Sequence, residues 1–295
     1  MKRFLFFIAC LTAALGFSAA LEAPDALTLI DDRGTTLRLS RPAKRIISLE
    51  PSITETLYII GQEDKLAAVA LAERGSAWPE TVKDKPSVGS IRNVSVETLV
   101  SLAPDLVLGS AMSERGLAAV SKLGIPTAFI SPNSTAEILN MMKVLGRILG
   151  GEEKALAAAA DYSRRVEEIQ KKQPEKAKTG FFVYSVNPIM VFGSDSLPCE
   201  ILGLAGIRNP LPKVSFSQPI VSAEEILSAD PDYVFLAMAA AASYAEMKTH
   251  PFWGRLRAVK NGNVMAPPAE HYLRPSPRVI GGVESFYAFV YGGGR

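Results

Sequence analysis

The stretch Val94-Ser95-Val96-Glu97-Thr98-Leu99-Val100-Ser101-Leu102-Ala103-Pro104-Asp105-Leu106-Val107 has a second copy further along the chain, Val221-Ser222-Ala223-Glu224-Glu225-Ile226-Leu227-Ser228-Ala229-Asp230-Pro231-Asp232-Tyr233-Val234. Seven of the fourteen aligned positions are identical: Val94/Val221, Ser95/Ser222, Glu97/Glu224, Ser101/Ser228, Pro104/Pro231, Asp105/Asp232 and Val107/Val234. Each copy reads as a serine-capped helix, a Pro-Asp turn and a short buried strand. Capping serines and Pro-Asp turns are common individually, but agreement over the whole unit argues for two related lobes.

The elements on either side carry the same alternation. Leu27 to Leu39 reads as a hairpin turning at Arg33-Gly34, and Ile46 to Leu49 as a short apolar strand. A helix is expected from about Thr54 to Ile60, with Pro51 marking the turn before it and Ser52 and Glu55 in capping-box spacing. Leu66 to Ala70, Leu106 to Leu108 and Thr127 to Ile130 follow as strands, with helical stretches such as Ser113 to Leu123 between them. Glu152 to Gln173 differs: it is rich in Ala, Glu, Lys and Arg and holds neither Gly nor Pro, so one long helix is expected. The α/β alternation then resumes, through Phe181 to Ser185, Met190 to Phe192, a helix over Pro198 to Leu204, strands at Tyr233 to Leu236 and Val264 to Ala266, and a final helix from Pro277 to Tyr291. The expected fold class is α/β: two pseudo-symmetric lobes with mostly parallel central sheets, joined by a single long helix. Residues 21–150 are assigned to the first lobe, 151–175 to the connector and 176–295 to the second lobe.

Composition narrows the function. Over 295 residues the net charge is +2, with 48% hydrophobic and 21% charged residues, an ordinary globular balance with no concentrated basic face for nucleic acid. Lys2 and Arg3, the apolar run Phe4 to Phe17 and the small residues Ser18-Ala19-Ala20 read as a signal peptide over residues 1–20, with a mature chain beginning near Leu21. The apolar run is shorter than the roughly 20 residues a membrane span needs. Cys10 after Ala9 offers a lipid-anchored alternative, although only Phe4 to Ala9 precede it as an apolar run. Removal of Cys10 leaves Cys199 alone, which allows neither an internal disulfide nor a cysteine metal cluster.

Arg45-Ile46-Ile47-Ser48-Leu49-Glu50-Pro51-Ser52-Ile53-Thr54-Glu55-Thr56-Leu57 resembles the first-lobe motif of bacterial periplasmic binding proteins for cobalamin, iron-siderophores and haem. The repeated Val-Ser-x-Glu…Pro-Asp units resemble the same family, and so does Arg274-Pro275-Ser276-Pro277-Arg278-Val279. The resemblance runs from about residue 27 to 291. It implies a periplasmic protein, expected as a monomer, that holds a small molecule between its lobes and passes it unchanged to the permease dimer of an ABC importer. It also implies permease docking through one glutamate per lobe, at the positions of Glu97 and Glu224. Matched charges on two lobes would set orientation and association rate. Both also lie in the first turn of an expected helix, where a carboxylate suits the helix dipole. Glu225, three residues after Ser222, fits the local capping box better.

In such a cleft the ligand-facing residues lie on loops after the strands. The first-lobe candidates are Glu50, Trp78 and Arg92, and the second-lobe candidates are Tyr184, Phe192, Phe216, Tyr272 and Arg274. Aromatic rings suit a large flat ligand such as a corrin or an iron chelate, and arginines suit anionic substituents. Trp78 before Pro79 is the leading candidate, because family members often carry an aromatic residue before Pro there. Haem relatives often use a Tyr ligand in that loop, and this loop has none. The two histidines, His250 and His271, fall in the second half, which disfavours a bare-metal site, and no cofactor is implied. An exported hydrolase is the rival class, but the chain has no G-x-S-x-G, Walker or HExxH motif. Cobalamin or a related corrinoid is the first expectation for the ligand, and a ferric siderophore is the alternative.

Overall fold

The computed structural model describes residues 27–71, 78–211, 218–241 and 244–292. The signal segment, Cys10 and Phe216 lie outside the described residues. β1 (Leu27–Ile30) and β2 (Thr36–Leu39) form the expected hairpin, with Asp31 Oδ1 accepting the backbone N–H groups of Arg33 and Thr35 in the turn. The first lobe then runs β3 (Ile46–Ser48), α1 (Pro51–Ile59), β4 (Leu66–Leu71), β5 (Ser87–Ser90), β6 (Asn93–Val94), α2 (Val96–Ser101), β7 (Leu106–Gly109), α3 (Glu114–Ser121), β8 (Thr127–Phe129) and α4 (Thr135–Ile148). Its sheet has the order β6-β5-β4-β3-β7-β8, parallel throughout except for the β5–β6 pair. Successive strand residues serve opposite faces, as the pleat requires. Ile46, Leu106 and Leu108 pack with Ile53, Leu57 and Met142 of α1 and α4. Ile47 and Val107 pack with Leu99, Leu117 and Val120 of α2 and α3. Full burial of such a side chain is worth about 1.5–3 kcal/mol.

α5 (Glu152–Lys171) is the long connector, close to its expected span. It packs on α4 at short range, since a Cβ at Gly146 would lie 2.2 Å from that of Ala155. The second lobe follows as β9 (Lys178–Val186), β10 (Ile189–Val191), α6 (Leu197–Leu204), β11 (Ile207–Arg208), α7 (Ala223–Ala229), β12 (Tyr233–Leu236), α8 (Met238–Ala241), α9 (Tyr244–Thr249), α10 (Arg257–Lys260), β13 (Val264–Met265) and α11 (Val279–Tyr291). Its sheet order is β10-β9-β12-β13, with β11 on the free end of β9. Again the faces alternate: Phe182 and Phe235 meet Phe286 of α11, while Phe181, Val183, Val234 and Leu236 meet Ile226 and Val259 of α7 and α10. α5 contacts α11 as well as α4, and Arg165 of α5 donates two 2.7 Å hydrogen bonds to Glu284 of α11. Among the described residues no helix is long and apolar enough to cross a membrane.

The two repeat copies do the same work in each lobe. Ser95 Oγ accepts the N–H of Thr98 and Ser222 Oγ that of Glu225, so both serines cap their helices. The capping box expected at Ser222 and Glu225 is present. Past each helix the chain takes a left-handed conformation at aligned positions, φ 45° at Ala103 and φ 29° at Asp230. Both carboxylates of the Pro-Asp turns then hold the neighbouring strand in register. Asp105 accepts the N–H groups of Lys44 and Arg45 at 2.8 and 2.9 Å, just before β3. Asp232 accepts the N–H of Thr179 at 2.9 Å, at the start of β9.

Hydrogen bonds to charged groups contribute about 1.5–3 kcal/mol each, and distant sites add. Asp105→Ala and Asp232→Ala should therefore each lower stability by about 1–3 kcal/mol, with the double variant near their sum, as read by chemical denaturation.

Candidate functional site

Both sheets present the C-terminal ends of their parallel strands to the crevice between the lobes. On the first lobe that edge carries Glu50 just beyond β3, Trp78 beyond β4, Arg92 beyond β5 and Ser110 beyond β7. On the second it carries the extension of β9 with Tyr184, and the loop from β13 to α11 with Tyr272, Arg274, Ser276 and Arg278.

The charge centre of this crevice is Glu55, on α1 and 1% exposed. Every described partner of its carboxylate comes from the other lobe. Arg274 Nη1 donates to Oε1, Arg278 Nη1 donates to Oε1 at 3.1 Å, and Ser276 Oγ donates to Oε2 at 2.6 Å. Arg278 also lies 3.6 Å from Glu270 and stacks over the Trp78 ring at 4.6 Å. The capping box expected of Ser52 and Glu55 is therefore not formed. α1 starts at Pro51, three residues earlier than its spacing suggested, because Pro is suited to the first helical position. That start places Ser52 and Glu55 inside the helix, with Glu50 as the residue before it. The Ser52 hydroxyl is buried with no partner among the described residues.

A reciprocal contact lies at the other end of the interface. Glu200 of α6, in the second lobe, accepts the N–H of Thr135 at 3.1 Å, at the start of α4 in the first lobe. A carboxylate at a helix N-terminus is favoured by the free N–H groups and the helix dipole. Each lobe thus sends one glutamate into the other.

The expected site residues divide sharply. Glu50 is 9% exposed and accepts a 2.6 Å hydrogen bond from Ser110 Oγ. Burial raises its pKa above the usual carboxylate range, against the Ser110 hydrogen bond, the Arg274 charge and the Ser52 backbone, which lower it; Glu55 adds to the rise. Trp78 is half-buried with one side against Arg278, and Arg92 is exposed in the turn between β5 and β6. Tyr184 is half-buried and meets Phe192 edge-on at 5.7 Å. Tyr272 and Phe192 pack inward. Tyr272 is 0% exposed and stacks on Phe182 at 4.7 Å, and Phe192 closes the same cluster from its edge. Their rings form the second lobe's core beneath the crevice. Arg274 stands at the crevice but is engaged by Glu55.

Four contributors were not anticipated as site residues: Glu55, Ser110, Ser276 and Arg278. The Arg-Pro-Ser-Pro-Arg run was visible as a motif, whereas Ser110 follows β7 with no local signature. Leu71, Met112 and Leu273 are exposed apolar residues at this same edge, which gives the crevice rim a partly greasy character. Glu97 and Glu224 are both exposed, each two residues past its capping serine.

The histidines and the cysteine lie elsewhere. His250 Nδ1 accepts the Phe252 N–H at 3.1 Å. His271 packs on α11, where burial lowers its pKa, and a Cβ at Gly282 would stand 2.0 Å from its carbonyl oxygen. Burial pushes the Cys199 thiol up, which keeps it protonated. Among the described residues no cluster of His, Cys, Asp and Glu is arranged to hold a metal ion.

The family described as periplasmic binding protein matches residues 46–270. The vitamin B12-binding protein of Vibrio campbellii is 28% identical over 248 residues, covering 82% of this chain and 87% of that protein. The vitamin B12-binding protein of Vibrio cholerae is 27% identical over 252 residues, covering 84% and 90%. Among solved structures, the periplasmic vitamin B12-binding protein of Vibrio cholerae superposes with a TM-score of 0.69 at 27% identity, covering 84% of this chain and 97% of that one. A periplasmic haem-binding protein of Vibrio cholerae gives a TM-score of 0.73 at 24% identity, over 84% and 98%, a likeness of fold.

Removing one partner of a buried ion pair costs about 3–5 kcal/mol. Glu55→Gln should fall near about 3 kcal/mol, because both arginines retain some access to water. Arg274→Ala and Arg278→Ala should each cost less, since the other arginine and Ser276 remain on the carboxylate. The double arginine variant should cost more than their sum, because only then does the buried charge stand uncompensated. Chemical denaturation of the four variants reads all of this directly.

Proposed function

The chain belongs to the periplasmic binding protein family, and on that premise we propose that it is the solute-binding component of an ABC importer that captures cobalamin or a related corrinoid. The observation that carries the corrinoid is the likeness, along most of the chain, to vitamin B12-binding proteins. The crevice is consistent with it. Trp78 and Tyr184 offer aromatic surface from opposite lobes, and Leu71, Met112 and Leu273 offer apolar rim, a combination suited to a broad ring system with a greasy perimeter. Arg92 is an exposed cation at the same edge. Phe216 belongs to the proposed site by its sequence position.

In this reading residues 1–20 direct export to the periplasm. The lobes over residues 21–150 and 176–295 act as one monomeric unit about the 151–175 connector. The protein binds and releases its ligand without chemistry. It delivers the ligand to an inner-membrane permease through Glu97 and Glu224, which stand exposed at equivalent places on the two lobes. A two-point charge contact of this kind orients the loaded protein over a two-fold partner.

A thermal-shift panel tests the ligand. Cyanocobalamin and cobinamide should raise the midpoint in a concentration-dependent way, more than haemin or ferric siderophores at equal concentration. A larger shift with an iron chelate would reassign the site to that ligand. Glu97→Lys and Glu224→Lys test delivery. Each should leave ligand affinity by calorimetry unchanged and weaken uptake into vesicles carrying the permease, the double variant most. Undiminished uptake by the double variant, or a lost ligand affinity in either single one, would remove the docking role.

A further inference from the structure

In the first sheet the winding reverses between β3 and β7: β4 and β5 lie on one side of β3, and β7 and β8 on the other. In open α/β sheets, ligands settle in the crevice outside the strand ends at such a reversal. Here that crevice is floored by Glu50 and Ser110, which bond to each other across it. Local hydroxyls fix the backbone of Glu50: Ser48 Oγ donates to its carbonyl at 2.9 Å, and Thr54 Oγ1 donates to Ser48 Oγ at 2.9 Å. The carboxylate is thus aimed before any ligand arrives.

Its charge is not matched within the described residues. The cation acting on it across the crevice is Arg274, whose Nη1 is held by Glu55, and Glu55 itself adds a second negative charge. No described cation lies in ion-pair contact with Glu50. A buried carboxylate held by one hydroxyl and the Ser52 backbone N–H, with no cation in contact, still carries a desolvation cost that a further donor would relieve.

Building on the corrinoid reading, we propose that Glu50 is the specificity-determining residue of this cleft: it accepts a hydrogen bond from an N–H donor of the ligand, such as a primary amide on a corrin side chain, and turns away ligands that would place a carboxylate there. A charge-assisted bond of this kind is about twice as strong as a neutral one. It also ties affinity to pH. The groups that face Glu50 are Ser110 beyond β7, Ser52 and Glu55 on the helix that follows it, and Arg274 from the second lobe. The ligand's donor prefers the ionised carboxylate, so affinity is full above the pKa of Glu50 and falls as pH drops through it. Because burial raises that pKa, the fall comes at higher pH than for an ordinary glutamate.

The test is calorimetric titration of the full exported chain, wild type, Glu50→Gln and Ser110→Ala, with cyanocobalamin, cationic ferrioxamine B, anionic ferric enterobactin and haemin, across pH 4.5 to 8. Glu50→Gln should bind cyanocobalamin about tenfold more weakly, lose the acid fall in affinity, and bind the anionic probes more tightly than wild type does. Ser110→Ala keeps the charge but removes the bond that favours the ionised form, so the acid fall should move to higher pH; this variant carries the test if Glu50→Gln does not fold. Unchanged cyanocobalamin affinity and selectivity in Glu50→Gln would overturn the role of Glu50 and leave the corrinoid reading standing. So would an equal loss for every probe, which would mark a structural role. Wild-type preference for ferrioxamine B over both cyanocobalamin and ferric enterobactin, abolished in Glu50→Gln, would uphold Glu50 and remove the corrinoid. Wild-type preference for an anionic probe, or no binding to any of the four, would overturn both.

Discussion

The carboxylate of Glu55 is the constraint on which the arrangement of the lobes depends. A charge taken wholly out of water must keep its partners, and those partners sit on the loop before α11, in the other lobe. Any motion that widens the crevice at α1 first uncovers this ion. Glu200 at the N-terminus of α4 applies the same condition from the second lobe, and α5 supplies a stiff strut packed on α4, α6 and α11. The result is a crevice whose width is set by polar contacts short enough to tolerate little slack. Trp78 is drawn into the same group through Arg278, so the aromatic surface of the first lobe is positioned by a cation from the second.

The sequence disclosed the architecture well because the architecture is written in local, repeated signals. The repeat units, the alternation of apolar residues and the Gly- and Pro-free connector each depend on neighbours within a few positions. Even finer points followed, such as the choice of Glu225 over Glu224 for the capping box at Ser222. The same spacing misled at Ser52 and Glu55. There a partner group 219 to 223 residues away outcompetes the local cap, and no window of sequence can weigh that competition. The left-handed residue after each repeat helix was equally hidden, since Ala103 gives no hint of a positive φ that its aligned partner Asp230 shares.

The cleft was the least legible part, for a related reason. Aromatic residues near strand ends serve both core and ligand surface, and the sequence does not say which way a ring turns. Tyr272 and Phe192 turned inward to Phe182, whereas Tyr184 and Trp78 kept some surface. Glu50 was singled out by its place after a strand, but its burial and its bond to Ser110 arise from bringing β3 beside β7, strands with β4, β5 and β6 between them in the chain.

The dependence of Glu55 on Arg274, Ser276 and Arg278 has a consequence for the order in which the chain is completed. A polypeptide is synthesised from its N-terminus, so α1 is available long before the loop that neutralises it. Until the last helix arrives, the first lobe carries either an exposed, solvated Glu55 with its helix unseated or a buried charge with nothing opposite. A chain cut short before Arg274 could form its first sheet and connector, yet would remain loosely closed and open to proteolysis at α1. Completion of the C-terminus and consolidation of the N-terminal lobe are therefore one event, and the cleft takes its final form only when the whole chain is present.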